Sequence, residues 1–437
     1  MAKEPELLVR NRRLAEAGDP VAQFSLGNMY RIGYLVKADL DMAVKWLIEA
    51  ARQQHEEAIE LLRDMGVDFT EPKPSISFDG PPPEIVVDSL FAEEPREDPE
   101  SLLCAAQAGD SEAQVALGNA FRFGTVFPAN SQEAVRWYRL AAEQGGALGQ
   151  YALATMFDLG LGVEKDAVEA KAWYSKAAGQ GVPGAQFNLG NMIFQGRGCA
   201  ADPVLAAEWY RKAADQGDAA AHFALGALYE KGAGLPQDEL QAVKHYRDAA
   251  ERGDADAQFN LANMLREGRG TTADPGEAAS LYRRAAEQGL AAAQLNYGLM
   301  LATGLSVQRN DAAAARWLLR AAEQGDSSAQ YFLATFHEQG RGVPQDSAAA
   351  FAWYRRAALK GDPRAQYDLA IFYAAGNGVP LDMVEAHVWL SLAAASDNSE
   401  VVAAAREALE GIGSRLDAAA LAEAERRRNA HKVGAAP

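Results

Sequence analysis

The chain has 437 residues, of which 49% are hydrophobic, and its formal net charge is −18 at pH 7. This length exceeds one ordinary compact domain, so several domains or a repeat array are expected. The negative charge repels nucleic acid and anionic lipid, which argues against both as partners. The two cysteines are too far apart in sequence for a zinc or redox motif. No membrane span or secretory signal is evident, so a cytoplasmic location is expected.

The first predicted element is a helical repeat at the N-terminus, within residues 1–66. Gln23 and Trp46 have counterparts at the same relative spacing throughout the rest of the chain, so a repeat begins near Val21. Half of a second unit follows at Ala58. The repeat architecture is therefore expected to start close to the N-terminus.

Residues 67–100 interrupt this pattern. They contain seven prolines and ten acidic residues against two basic ones, a composition typical of segments with little regular structure. Repeat positions resume at Leu102 and Gly109. One interpretation, which we favour, is a single array in which one repeat has an enlarged loop between its helices. The alternative is a linker between two separate arrays.

An apolar run, Ile85–Phe91, lies inside this acidic segment. Burying its five apolar side chains, at about 25 cal/mol per Å² of area removed from water, stabilises the docked state by several kcal/mol. Ordering the backbone costs about 1–2 kcal/mol per residue, so the two free energies nearly cancel. This balance suits a reversible contact. We predict that the run docks on the array as an intramolecular latch that competes with a partner, and the alternative is a structural staple over its own repeat.

Residues 101–396 form the main array, in which equivalent positions 36 residues apart make up columns. One column is Gln114, Gln150, Gln186, Gln258, Gln294, Gln330 and Gln366, with His222 at the missing position. A leucine usually follows three residues later, on the same helical face. A second helix carries the column Trp137, Trp173, Trp209, Trp317, Trp353 and Trp389. Each unit is therefore a predicted helical hairpin.

Polar residues mark the start of the second helix in every unit, and glycines mark its end in seven units. A column of Asn and Asp can cap the second helix by accepting a backbone N–H bond, as Asp166 and Asp346 illustrate. Glycines such as Gly181 and Gly361 follow that helix, where glycine adopts the left-handed conformation without cost. The tryptophans are expected to be buried between hairpins, so that Trp353→Ala costs roughly 3–5 kcal/mol.

Residues 397–437 are rich in alanine and leave the 36-residue lattice. A stack of hairpins exposes the apolar face of its last unit, so the ends of such arrays need atypical capping elements. We predict that this region forms capping helices and a tail.

The unit Ala329–Gly361 resembles a repeat of the Sel-one-like repeat family, a relative of the tetratricopeptide repeats. It combines Ala-Gln, Gly-x-Gly-Val and Trp-Tyr elements at the family's spacing. The resemblance extends over residues 113–396 and, more loosely, over residues 8–66. It implies an all-α fold, a right-handed α-superhelical solenoid of about ten two-helix repeats of 36 residues, whose first helices line a concave face.

The same resemblance implies an adaptor or scaffold that binds a partner protein or an extended peptide on the concave face. First-helix residues outside the core and caps are the candidates for contact, because Asn can bond both N–H and C=O of an extended peptide. They are Asn119, Asn188, Asn191, Asn260, Asn263, Asn296, Tyr331 and Tyr367. The alternative is that these are solvated polar residues without a partner.

Nothing in the sequence forms a catalytic constellation, so no enzyme, cofactor or metal site is expected. His222 and His245 share one repeat and together supply half of a metal site, which needs three or four ligands. The sequence leaves two alternatives to a binding adaptor. A hydrolase of the cysteine-rich β-lactamase type is disfavoured by the presence of only two cysteines, and a structural polarity or assembly scaffold would differ from an adaptor only in its partner.

Overall fold

The computed structural model describes residues 99–434, with side chains through residue 431, and residues 12, 15, 22, 23, 26, 46, 47 and 50. The chain divides into two compact units, residues 1–73 and 74–437. Most of the insertion 67–100, including the predicted latch Ile85–Phe91, lies outside the described residues.

In the first unit, the described positions carry the contacts of a repeat. The Gln23 Nε2 donates to the carbonyl of Ala15 at 3.1 Å. Ala22 and Leu26 are buried, and Trp46 packs against them. The same glutamine-to-carbonyl bond, eight residues back along the chain, recurs in the second unit at Gln114.

In the second unit, the described residues form nineteen helices and no strand. In chain order these are α1 (Pro99–Gln107), α2 (Ser111–Phe123), α3 (Ser131–Glu143), α4 (Ala147–Leu159), α5 (Ala167–Gly179), α6 (Pro183–Gln195), α7 (Pro203–Ala214), α8 (Ala219–Lys231), α9 (Glu239–Glu251), α10 (Ala255–Glu267), α11 (Pro275–Glu287), α12 (Ala291–Thr303), α13 (Asp311–Glu323), α14 (Ser327–Gln339), α15 (Ser347–Leu359), α16 (Pro363–Ala375), α17 (Met383–Ala393), α18 (Ser399–Gly413) and α19 (Ala418–Gly434).

Even-numbered helices from α2 to α16 are the first helices of repeats, and each pairs with the odd-numbered helix that follows. Each hairpin then packs mainly on its neighbours along the chain. This nearest-neighbour packing of repeated units defines an α-solenoid and confirms the predicted fold class. No helix among the described residues is long and apolar enough to cross a membrane.

The predicted helix caps are confirmed in the eight repeats of the second unit. The Asp166 Oδ1, for example, accepts from the backbone N–H groups of Val168 and Glu169 at 2.8 and 3.0 Å. The same role is filled by Asn130, Asp202, Asp238, Asp274, Asn310, Asp346 and Asp382. The glycines predicted to end the second helices have positive φ, as at Gly181 (φ 93°) and Gly361 (φ 87°).

Tyrosine, rather than tryptophan, provides the most buried aromatic side chain of most repeats. Tyr354 is buried, whereas the adjacent Trp353 is half-buried, so the expectation that Trp353 is fully buried is wrong. Neighbouring residues on a helix point about 100° apart, and this rotation turns the tryptophan toward the surface. There the Arg356 guanidinium lies 4.4 Å from the Trp353 ring centroid. Trp137 and Trp389, by contrast, are buried.

The two C-terminal helices, α18 and α19, both pack against α17. Ala405 and Ile412 of α18 join the core of the last repeats. On α19, the Arg427 Nη1 donates to the Glu385 carboxylate at 2.7 Å, and the His431 ring lies against Trp389. These contacts cover the apolar surface of the final hairpin.

Candidate partner-binding site

The column glutamines tie successive repeats together. The Gln150 Nε2 donates to the carbonyl of Ala142 at 3.3 Å, and its Oε1 accepts from the Nε2 of Gln180 at 2.8 Å. Gln180 also donates to the carbonyl of Gly145 in the preceding turn. Both the Nε2 and the Oε1 of the buried glutamine are thus hydrogen-bonded within the array. These bonds fix the position of the first helix and of its neighbouring side chains.

One predicted partner-binding column, Asn119, Asn191 and Asn263, lies against the buried tyrosines. Each Oδ1 accepts a hydrogen bond from a tyrosine hydroxyl of the same repeat, with Tyr138, Tyr210 and Tyr282 as the donors. Asn191 is only 4% exposed. These contacts give the column a structural role, and its partner-binding role stays a prediction.

Two other repeats show how closely this column depends on tyrosine. Where Leu318 replaces the tyrosine, the asparagine position is Leu299, and where Leu390 replaces it, the position is Ile371. An apolar residue thus stands in the column where no hydroxyl needs a partner. Ala227 is an exception, since the Tyr246 hydroxyl in that repeat donates to the Glu230 carboxylate instead, at 2.7 Å. This pairing is visible in the sequence and was missed in the sequence-based interpretation.

The second predicted column divides by exposure. Asn188 is 2% exposed, with its Nδ2 3.3 Å from the Tyr174 hydroxyl. Asn260 and Asn296 are half-buried, and so are the predicted Tyr331 and Tyr367. The half-buried members keep some surface that a partner can reach.

Tyr331 and Tyr367 come together in a cleft of about 210 Å³. Three helices supply its walls: α14, α16 and the capping helix α18. The residues that line it are Tyr331, Arg364, Tyr367, Asp368, Glu400, Val401 and Ala404. We call this set the aromatic cleft. Asp368 belongs to the same column as Asn188, Asn260 and Asn296.

Charges are unevenly distributed in the aromatic cleft. The Arg364 guanidinium lies 4.4 Å from the Tyr331 ring centroid, but it is paired with the Asp362 carboxylate at 2.7 Å. Asp368 accepts the Tyr331 hydroxyl, and Glu400 is exposed. The cleft therefore offers an aromatic wall with carboxylates in excess of free cations, a combination that suits a cationic side chain.

Burial raises the pKa of Asp368 to about 6, and the negative charge of Glu338 adds to this effect. The hydrogen bond from Tyr331 and the charge of Arg364 oppose it. Burial, followed by the charge of Asp368, raises the pKa of Tyr331 to about 12. Tyr331 is therefore neutral at pH 7, whereas Asp368 changes its charge near neutrality.

A histidine pair in the middle of the array forms a second polar cluster. His222 and His245 lie side by side, with their Nδ1 atoms 3.2 Å apart. Asp248, which was not predicted, lies with its Oδ2 3.7 Å from the His222 Nδ1. Burial lowers the pKa of both imidazoles, and that of His245 falls to about 4 with a further contribution from the charge of His222.

The Sel1 repeat family model matches nine segments of the chain. They are residues 20–55, 111–146, 147–182, 183–218, 219–254, 255–290, 291–326, 327–362 and 363–398. The fold and these matches place the protein in the class of helical repeat solenoids. The chain belongs to the Sel1 repeat family, as the sequence resemblance predicted.

Solved structures that are similar to the chain include the following two. A protective antigen of uropathogenic Escherichia coli strains, described as displaying an SLR fold, is 29% identical, with a TM-score of 0.51 over 97% of this chain and 94% of that one. A Sel1 repeat protein from Oxalobacter formigenes is 32% identical, with a TM-score of 0.52 over 74% of this chain and 99% of that one. The comparison with curated proteins gives no match.

Proposed function

We propose that the protein is a scaffold that binds a partner protein through an extended segment lying along the concave face formed by the first helices. The aromatic cleft anchors a lysine or arginine side chain of that segment. The observation that carries this proposal is the convergence of Tyr331, Tyr367 and Asp368 with Glu400 in one cleft.

Three features support a cationic anchor. The net charge of −18 attracts basic segments over long range. Two tyrosine rings offer a surface on which a cation is stabilised by the ring quadrupole. Asp368 and Glu400 supply carboxylates, and the ion pair of Arg364 is with Asp362 rather than with either of them.

The remaining contacts of the partner are assigned to the half-buried Asn260 and Asn296, whose amides can bond an extended backbone. Asn119, Asn188, Asn191 and Asn263 use part of their hydrogen-bonding capacity on tyrosines. Of these four, Asn119 and Asn263 are half-buried and keep amide surface that a partner can reach, whereas Asn188 and Asn191 are buried. Membership of the Sel1 repeat family favours such a binding role over a catalytic one.

A peptide library displayed on phage, selected against the full chain, tests this function. We expect the selected peptides to contain lysine or arginine, and fluorescence polarisation to show at least about tenfold weaker binding to Asp368→Ala, the loss typical of an unpaired charged contact. The control is Glu112→Gln, which removes an exposed carboxylate from α2 outside the cleft. Selected peptides that bind wild type and Asp368→Ala equally would refute the cleft as anchor.

A further inference from the structure

The repeat formed by α8 and α9 departs from the pattern of the array at three positions that meet in space. His222 stands where seven other repeats of the lattice have glutamine, and His245 stands where six have tryptophan. Asp248 stands in a column that is lysine or arginine in five repeats. Two imidazoles and a carboxylate thus replace an amide, an indole and a cation within one hairpin.

The substitution of a cation by Asp248 removes a cation–π contact that recurs in other repeats. In the preceding repeat, the Lys212 Nζ lies 3.8 Å from the centroid of the Trp209 ring, three residues earlier on the same helix face. His245 and Asp248 occupy the equivalent pair of positions. A carboxylate beside an imidazole cannot make a cation–π contact of that kind, so this repeat has a different local chemistry.

The distances fit a metal site. The ligand atoms of His222, His245 and Asp248 all lie within 4.8 Å of one another. The two Nδ1 atoms are 3.2 Å apart. Two nitrogens bound to one tetrahedral zinc ion at about 2.0–2.1 Å would be separated by about 3.3 Å. The pair is therefore already at the spacing that a shared ion requires.

The surroundings orient the two rings. The His222 imidazole donates to the carbonyl of Ala214, the bond that the column glutamines make in other repeats. A donated bond on one ring nitrogen leaves the other with its lone pair, as in most protein zinc sites. The ring of Tyr229 stacks on His245, with centroids 5.6 Å apart and planes 10° apart.

We propose that His222, His245 and Asp248 bind a divalent transition-metal ion of the zinc class. Two nitrogens and one carboxylate oxygen favour zinc, cobalt or nickel over magnesium or calcium. His245 and Asp248 are partly exposed, so a water molecule can occupy the fourth coordination position of the ion. The ion would join α8 to α9 and stiffen one hairpin in the middle of the array. The positive charges of Arg211, Lys244 and Arg252 near the two imidazoles would oppose its binding.

Titration of the metal-free full chain with zinc chloride, followed by calorimetry, tests the proposal. We expect one high-affinity ion per chain and a rise in Tm on its addition. His222→Gln, His245→Trp and Asp248→Lys each restore the residue of neighbouring repeats, so they should fold, and circular dichroism checks this. Each is expected to weaken zinc binding by at least about tenfold. His387→Gln, outside the cluster, is expected to leave binding unchanged.

Cobalt(II) absorption provides a second readout. We expect d–d bands in wild type that disappear in the double variant His222→Gln with His245→Trp, without a thiolate charge-transfer band. Such a charge-transfer band would place the ion on Cys104 or Cys199 and overturn the proposal. So would a double variant that binds zinc with wild-type affinity and stoichiometry, or wild-type protein that binds no zinc.

Discussion

At the scale of single residues, the fold is organised around buried polar atoms that are paired within each repeat. The Tyr210 hydroxyl, on a side chain with no exposed surface, donates to the Asn191 Oδ1 at 2.7 Å. A hydroxyl buried without a partner costs about 1–3 kcal/mol. The buried tyrosines of the second helices are therefore matched by polar residues on the first helices.

Asn191→Ala is expected to lower the free energy of unfolding by about 1–3 kcal/mol, because it leaves the Tyr210 hydroxyl unpaired. The double variant Asn191→Leu with Tyr210→Phe removes both polar groups, as the natural pair Leu299 and Leu318 does. It should lose less stability than the sum of the two single variants. Urea denaturation of wild type, Asn191→Leu, Tyr210→Phe and the double variant measures the coupling, and strictly additive losses would contradict the assigned pairing.

The titration of Asp368 predicts a change of stability with pH. Its folded pKa of about 6 lies above the value near 4 of an unfolded chain. Its contribution to stability is therefore fully present below about pH 4 and is lost as the pH rises through 6. Asp368→Asn cannot ionise, so it is expected to match wild type at pH 4 and to exceed it by about 1–2 kcal/mol at pH 7, after allowance for partial exposure.

Urea denaturation at pH 4 and pH 7 measures this difference, with Glu112→Gln as an exposed carboxylate control. A gap between wild type and Asp368→Asn that stays the same at both values of pH would contradict the assigned pKa.

At the scale of helices and turns, the architecture could be predicted from the sequence because every repeat restates the same local rules. Capping residues, terminal glycines and the 36-residue period agree with one another, and the structure has helices and caps at the predicted places. The burial of the tryptophans was less predictable than the helices and their caps, because hydrophobicity alone does not distinguish Trp353 from Tyr354.

The candidate sites were harder to predict, because their residues come from different elements. Tyr331 and Tyr367 were predicted, but Glu400 comes from the capping helix, whose docking no lattice position specifies. Asp248 was missed for another reason. It required comparison with the cations of its column, such as Lys212 and Arg284, rather than a search for metal-binding spacings.

Ser306 offers a test of turn chemistry. It has φ of 57°, whereas the equivalent residue is a glycine with positive φ in six other repeats, including Gly270 and Gly342. A non-glycine residue costs about 1–2 kcal/mol in this conformation. Glycine removes this strain but raises the conformational entropy of the unfolded chain, which offsets part of the gain in stability. Ser306→Gly is expected to raise the free energy of unfolding by about 0.5–1 kcal/mol.

The reverse change, Gly342→Ser, is expected to destabilise the protein, because a Cβ there would collide with the backbone of Asp311 and Ala312. Thermal denaturation of both variants measures the effects. A lower Tm for Ser306→Gly would show that Ser306 makes a favourable contact that outweighs its strain.

At the scale of the whole molecule, we propose that an acidic helical array binds a basic partner. The net charge of −18 speeds encounter with a cationic segment and adds a screened attraction to the contacts in the aromatic cleft. The proposed metal site lies in a different hairpin from the cleft, in the repeat of α8 and α9. Zinc binding and peptide binding can therefore be tested independently.

Peptide binding is expected to depend on ionic strength. Raising the salt concentration from about 50 mM to about 300 mM shortens the Debye length and should raise the Kd on the order of tenfold. Fluorescence polarisation with a selected basic peptide measures this. An affinity insensitive to salt would indicate that apolar contacts, rather than charge, hold the peptide.

Photo-crosslinking is the most direct test of the claim that a partner occupies the aromatic cleft. Tyr367→benzoylphenylalanine places the photoreactive group in the cleft, and Leu240→benzoylphenylalanine places it on an exposed second-helix position, 65% exposed. In cells that make the protein, we expect position 367 to yield a discrete adduct with a partner whose crosslinked segment contains a basic residue, and position 240 to yield none. Adducts of the same partner from both positions, or from position 240 alone, would contradict the account.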